Sequence, residues 1–116
     1  MNLTTERTHG VSVVRVNEAR LMYPLLSEFA TTITSLIGSG ERRVLLDLST
    51  VTYVDSATIG CLIDLYRQAT AAGGLLKVTG VQKRVETMLT MTGTQDVLDI
   101  HPDALSAIRS FGDYPS

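Results

Sequence analysis

The stretch that most constrains the fold is RVLLDL, residues 43–48, an almost unbroken apolar run of strand length. A strand with one wet face alternates apolar and polar side chains, whereas an unalternating run belongs in the middle of a sheet covered on both faces, as in parallel α/β sheets. GVSVVRV (10–16), rich in β-branched valine and bounded by Gly10 and Asn17, reads as an earlier strand, with residues 3–8 as a candidate neighbour. LLKVT (75–79) and DVLDI (96–100) read as later strands.

Between these runs the period changes. Met22, Leu25, Leu26, Phe29, Ala30, Ile33, Leu36 and Ile37 recur at helical spacing, with Pro24 in the first turn and Gly38 and Gly40 as the stop. A second helix runs from Ser56 with Ile59, Leu62, Ile63, Tyr66, Ala69 and Thr70 inward, ending at Gly73 and Gly74. A third turns Val81, Val85, Met88 and Leu89 inward and stops at Gly93. Pro102 is expected just inside a last helix whose Leu105, Ile108 and Phe111 face the core, before a fraying tail at 112–116.

Strands separated by helix-length connections pair in parallel through right-handed crossovers. The expectation is a single α/β domain, a mixed but mostly parallel sheet flanked by about four helices. With 116 residues there is room for one core and not for two.

Composition removes several functions. Twelve acidic against ten basic residues, spread along the chain, leave no footprint for a phosphate backbone, so no direct nucleic-acid partner is expected. One cysteine, Cys61, allows no internal disulfide, and His9 and His101 stand far apart without metal-site spacing, so no metal or cofactor is expected. No apolar run approaches the roughly 20 residues of a membrane span, and the first residues lack a secretory pattern; a soluble, cytoplasmic protein is expected. A mean hydropathy slightly above zero leaves room for a partner surface, on a monomer or weak dimer.

The junction YVDSATIG, residues 53–60, carries the chemistry. Asp55 suits an N-cap, where its carboxylate accepts from a first-turn N–H and meets the positive end of the helix dipole. Ser56 then becomes the first helical residue, with its hydroxyl toward solvent; with Ser56 as the cap instead, that hydroxyl is occupied. A phosphate on Ser56 adds about −1.5 to −2 charges where a helix start tolerates an anion, so the fold survives while a partner on the same face, beside Gly60 and Asp64, is repelled. A serine hydrolase needs a base beside Ser56 and a Gly-x-Ser-x-Gly elbow, and the context is Val54-Asp55-Ser56-Ala57-Thr58. The Gly73-Gly74 pair follows a helix and precedes a strand, the reverse of a phosphate loop.

These residues resemble the STAS domains of bacterial anti-sigma-factor antagonists. The likeness covers residues 10–111 and rests on Asp47-Leu48-Ser49 followed by Val51, Asp55-Ser56 and Gly60, with Gly73-Gly74 before LLKV. It implies one STAS domain over 1–116 (core 10–111, tail 112–116) with no catalysis of its own. It also implies binding to an anti-sigma factor that is an ATP-dependent serine kinase, release when that kinase phosphorylates Ser56, and resetting by a PP2C-type phosphatase. Asp55, Ser56, Thr58, Gly60 and Asp64 are the expected partner-binding residues. The family places a second hydroxyl residue and then glycine after the serine. Here Ala57 and Thr58 follow, so Thr58 stands as either an obstruction to the kinase or a subordinate second acceptor. Many antagonists carry an acid at the start of the first helix, where this chain reads Arg20-Leu21-Met22-Tyr23. Two alternatives stand beside the switch: a constitutive scaffold or regulatory subunit of a larger signalling or lipid-transport ATPase assembly, and a serine-dependent enzyme or weak nucleotide binder.

Overall fold

The computed structural model describes residues 1–112; the tail at 113–116, expected to fray, lies outside the described residues. In chain order the elements are β1 (Leu3–Thr8), β2 (Val11–Val16), β3 (Arg20–Leu21), α1 (Tyr23–Gly38), β4 (Arg43–Asp47), β5 (Tyr53–Val54), α2 (Ser56–Ala71), β6 (Leu75–Thr79), α3 (Lys83–Met91), β7 (Asp99–His101) and α4 (Ala104–Ser110), with a 3-10 turn at Thr94–Asp96. The main sheet has the order β1-β2-β4-β6-β7. β1 pairs antiparallel with β2 and every other pairing is parallel, so the sheet is mixed and mostly parallel, as the alternation of strands and helices predicts.

β4 is central, and both its faces are covered. Val44 and Leu46 join Val14, Val16, Leu76 and Val78 beneath α1, α2 and α3, while Leu45 joins Val11 and Val13 beneath Ala107, Ile108 and Phe111 of α4. That double burial is why residues 43–48 carry no alternation. The β1–β2 turn has two central residues, His9 (φ 52°) and Gly10 (φ 76°), both left-handed as the twist of a two-residue hairpin demands. β1 begins at Leu3, whose side chain packs on the main core, so the sheet starts before residue 10.

Lys77 of β6 points into the α4 side and is buried. Its ammonium donates to the Ser110 carbonyl (3.0 Å) and hydroxyl (2.9 Å), pairs with Asp99 (3.0 Å) and sits 5.1 Å from the Phe111 ring centre. A buried cation is tolerated there because its donors meet the C-terminal carbonyl of a helix, a carboxylate and an aromatic face.

Four local expectations are corrected. DVLDI is not a strand throughout: the amides of Asp96, Val97 and Leu98 bond back to Gly93 and Thr94, which leaves only Asp99–His101 to pair with β6. Pro102 stands before the last helix, which starts after Asp103, an N-cap accepting from the Ser106 N–H at 2.8 Å. Leu105 faces solvent at 59% exposure, because the short helix turns Ala107, Ile108 and Phe111 inward instead. In α2 the buried stripe is Thr58, Ile59, Leu62, Leu65 and Ala69, rotated from the expected one, with Thr70 outside. Packing of α2 against both the sheet and α1 selects the stripe, and it accepts a threonine whose hydroxyl is satisfied.

Candidate functional site

β5 is two residues long, pairs in parallel with β3, and buries Val54 completely. It delivers the chain to Asp55 in extended conformation (φ −102°, ψ 176°), where α2 begins. The start of α2 is thereby pinned beside the start of α1, because β3 leads into α1 as β5 leads into α2.

Asp55 caps both helices. Its Oδ1 accepts from the Thr58 N–H at 2.9 Å, and its Oδ2 accepts from the N–H of Tyr23, the first residue of α1, also at 2.9 Å. α1 has no side-chain cap of its own at Met22, so this carboxylate serves two sets of orphan amides. Thr58 is fully buried. Its hydroxyl has one proton to share between the Leu21 carbonyl oxygen (2.7 Å) and Asp55 Oδ1 (2.6 Å). The Thr58 hydroxyl chiefly, with the backbone amides of Tyr23 and Thr58, holds the Asp55 carboxyl below its usual value despite the opposing effect of partial burial.

Ser56 is the first residue of α2 and is exposed, and its hydroxyl has no hydrogen-bond partner among the described residues. One turn on, Gly60 is exposed, and a Cβ built there meets nothing within 4 Å. A further turn on, Asp64 is exposed and accepts from Gln68 Nε2 at 2.9 Å, while Gln68 Oε1 accepts from Thr34 of α1 at 3.1 Å. Ser56, Gly60 and Asp64 therefore line one outward stripe of α2, with Tyr23, 74% exposed, at the neighbouring helix start.

Thr58 is not part of that surface. Expected as an obstruction or second acceptor, it is turned into the core with its hydroxyl engaged, so it presents nothing to a kinase or partner. The spacing Asp55-x-x-Thr58, a cap and its third helical residue, carried the signal for that pairing. The involvement of Tyr23 and Leu21 had no local signal, since both arrive through the β3–β5 pairing.

Asp47-Leu48-Ser49 turns out to hold the chain's course out of β4. Asp47 Oδ1 accepts from the Ser49 N–H (2.9 Å) and Oδ2 from Arg15 Nε (3.1 Å). Burial works against ionisation of Asp47, but the Ser49 and Arg15 interactions outweigh it and keep the carboxyl below its ordinary value. Gly80, at φ 73°, passes so close that a Cβ would lie 2.9 Å from Ser49 Cβ, so glycine is required by both backbone and space. Cys61 is half-buried, and burial followed by the Asp64 charge pushes its thiol up, away from the reactive thiolate. His101 is engaged with Asp99 (2.9 Å) and Ser110 (3.2 Å), and His9 lies on the β1–β2 turn. Among the described residues no three His, Cys, Asp or Glu side chains are grouped for a metal, and no helix is long and apolar enough to cross a membrane.

The fold and the site together define a small α/β module that presents a serine at the start of a helix. A model of the STAS domain family matches residues 2–107, and the chain belongs to that family. It is 25% identical over 73 residues to a candidate anti-sigma factor antagonist of Thermotoga neapolitana, a match spanning 63% of this chain and 65% of that relative, a little under two thirds of its length. An anti-sigma factor antagonist from Mycobacterium paratuberculosis superposes with a TM-score of 0.86 at 20% identity, covering 97% of this chain and 94% of that one. The Bacillus cell-fate determinant SpoIIAA in its phosphorylated form superposes with a TM-score of 0.70 at 14% identity, covering 94% of this chain and 99% of that one.

Proposed function

We propose that the chain is an anti-sigma-factor antagonist, a binding module rather than an enzyme, which holds an anti-sigma factor/serine kinase while Ser56 is unmodified and lets it go when Ser56 is phosphorylated. The observation that carries this reading is the pairing of an exposed, unbonded Ser56 hydroxyl with a helix start already capped by Asp55. The cap leaves the serine with no structural duty, so modification changes the surface and not the fold. The names of the Thermotoga and Mycobacterium proteins, and the phosphorylated form of SpoIIAA, support it.

In the transfer, Ser56 Oγ attacks the γ-phosphorus of ATP held by the kinase, the bond from that phosphorus to the ADP oxygen breaks, and the serine proton passes to a base of the kinase. The product places a dianion beside Asp55 and on the same stripe as Gly60 and Asp64, one turn before Gly60, and a partner packed there meets repulsion it did not meet before. A PP2C-type phosphatase hydrolyses the ester and restores binding, and the cycle belongs in the cytoplasm, where ATP is available.

The test is incubation with each purified anti-sigma-factor kinase of the source organism, followed by mass mapping and binding measurements. The expected result is one phosphate, on Ser56, in a complex that Ser56→Asp weakens and Ser56→Ala preserves. Modification confined to other residues, or full binding by Ser56→Asp, overturns the switch.

A further inference from the structure

On the sheet edge formed by β7, a groove of about 370 Å³ runs between that edge and α3. Beneath it lie the buried Leu89 and Leu98 with the half-buried Ile100, and the exposed Glu86 and Asp96 stand along it, while Asp99, which also lines it, turns its carboxylate to Lys77 on the α4 side. Asp99 is already committed to Lys77 and His101, but Glu86 on α3 and Asp96 on the 3-10 turn have no ion pair among the described residues. No lysine or arginine is among the lining residues. β7 pairs with β6 on one side only; no described strand meets its outer edge, which leaves backbone donors and acceptors there without ladder partners. Val97, 39% exposed, lies in the chain between Asp96 and Leu98.

We infer that this edge is a second docking site, separate from the Ser56 surface, for an extended cationic segment of another protein that adds to β7 as a strand. The charge of the rim selects the occupant. In a strand every second side chain points to the same face, so a lysine or arginine turned into the groove lays its methylenes along the half-buried Ile100 and brings its charge to Glu86 or Asp96. Strand addition supplies backbone hydrogen bonds and the groove supplies selectivity for charge. The free carboxylates are what an acidic segment would be repelled by.

The probe is a synthetic heptapeptide of alternating lysine and valine, titrated into the full ¹⁵N-labelled chain at low salt, with a glutamate–valine peptide as the control. The expected result is amide shifts at residues 98–101 and Glu86 with the lysine peptide alone, weakened by added salt. Glu86→Gln and Asp96→Asn, both exposed and unpaired, are each expected to weaken binding by about 2- to 5-fold. Ser56→Asp is expected to leave it unchanged. Absence of shifts at 98–101 with about 1 mM peptide, equal binding of the glutamate peptide, indifference to both Glu86→Gln and Asp96→Asn, or loss of binding in Ser56→Asp each overturns the inference. Only the last of these touches the Ser56 surface, and none decides whether Ser56 is phosphorylated.

Discussion

The carboxylate of Asp55 accepts a hydrogen bond from the backbone N–H of Tyr23, 32 residues earlier, at 2.9 Å. The same carboxylate caps its own helix through Thr58, so one side chain fastens the starts of α1 and α2 to each other. The serine that follows it is left exposed at the start of α2.

Removing that side chain loosens both helices. Asp55→Ala is expected to lower stability by about 1–2 kcal/mol in urea unfolding, the upper part of the range for a single lost cap. Amide exchange is expected to rise at Tyr23 as well as at Thr58, because both N–H groups lose their acceptor.

The cap also has a pH signature. Because folding holds the Asp55 carboxyl below its unfolded value, its contribution is complete above the unfolded carboxylate pKa, near 4, and fades as pH falls through the lower folded value. The stability gap between the native chain and Asp55→Asn is therefore expected to be constant around neutrality and to narrow below about pH 4. Urea midpoints measured across that window check it; a gap that widens on acidification contradicts the assignment.

Thr58 and Ser56 are two residues apart and are expected to behave oppositely. Thr58→Val keeps the shape but leaves the buried Leu21 carbonyl without its donor, at a cost of about 1–3 kcal/mol. Ser56→Ala is expected to stay within about 0.5 kcal/mol of the native chain, as exposed, unbonded positions do. Thermal unfolding separates the two, and phosphate mapping on the folded chain is expected to find none on Thr58.

Gly60 is expected to trade stability against binding. With open space around its Cα, Gly60→Ala should stabilise α2 by about 0.5–1 kcal/mol, yet the added methyl stands on the stripe where the partner approaches. A variant with a raised Tm and weaker capture of the anti-sigma factor is the predicted outcome; unchanged capture removes Gly60 from the interface.

On the opposite side of the sheet, Lys77→Ala should loosen α4. The Ser110 carbonyl and Asp99 lose their donor together, at an expected cost of about 1–3 kcal/mol, with exchange rising first in residues 104–111.

Much of the architecture was readable before any coordinates. The unalternating run at 43–48 announced a strand covered on both faces, the period of Phe29, Ile33 and Ile37 announced α1, and Asp55 followed by an apolar helical pattern announced a capped start with Ser56 outside it. Those features are local: they follow from periodicity, cap chemistry and the reach of a few residues of backbone. DVLDI misled because the strand-forming composition of residues 96–98 lost to short-range hydrogen bonds around the left-handed Gly93. Leu105 misled because a helix of seven residues gives too little pattern to fix its inner face.

Thr58 marks the boundary between the two kinds of knowledge. By sequence it was one more hydroxyl on a helix start, expected on the partner surface as an obstruction to the kinase or a subordinate second acceptor. Only the pairing of β3 with β5 brings the Leu21 carbonyl within 2.7 Å of it and the Tyr23 amide within 2.9 Å of Asp55. The local sequence determined that a serine would stand at a capped helix start; tertiary structure decided which neighbouring hydroxyl was buried and which was left outside. A buried polar group needs a partner, and that partner came from a strand more than 30 residues away in the chain.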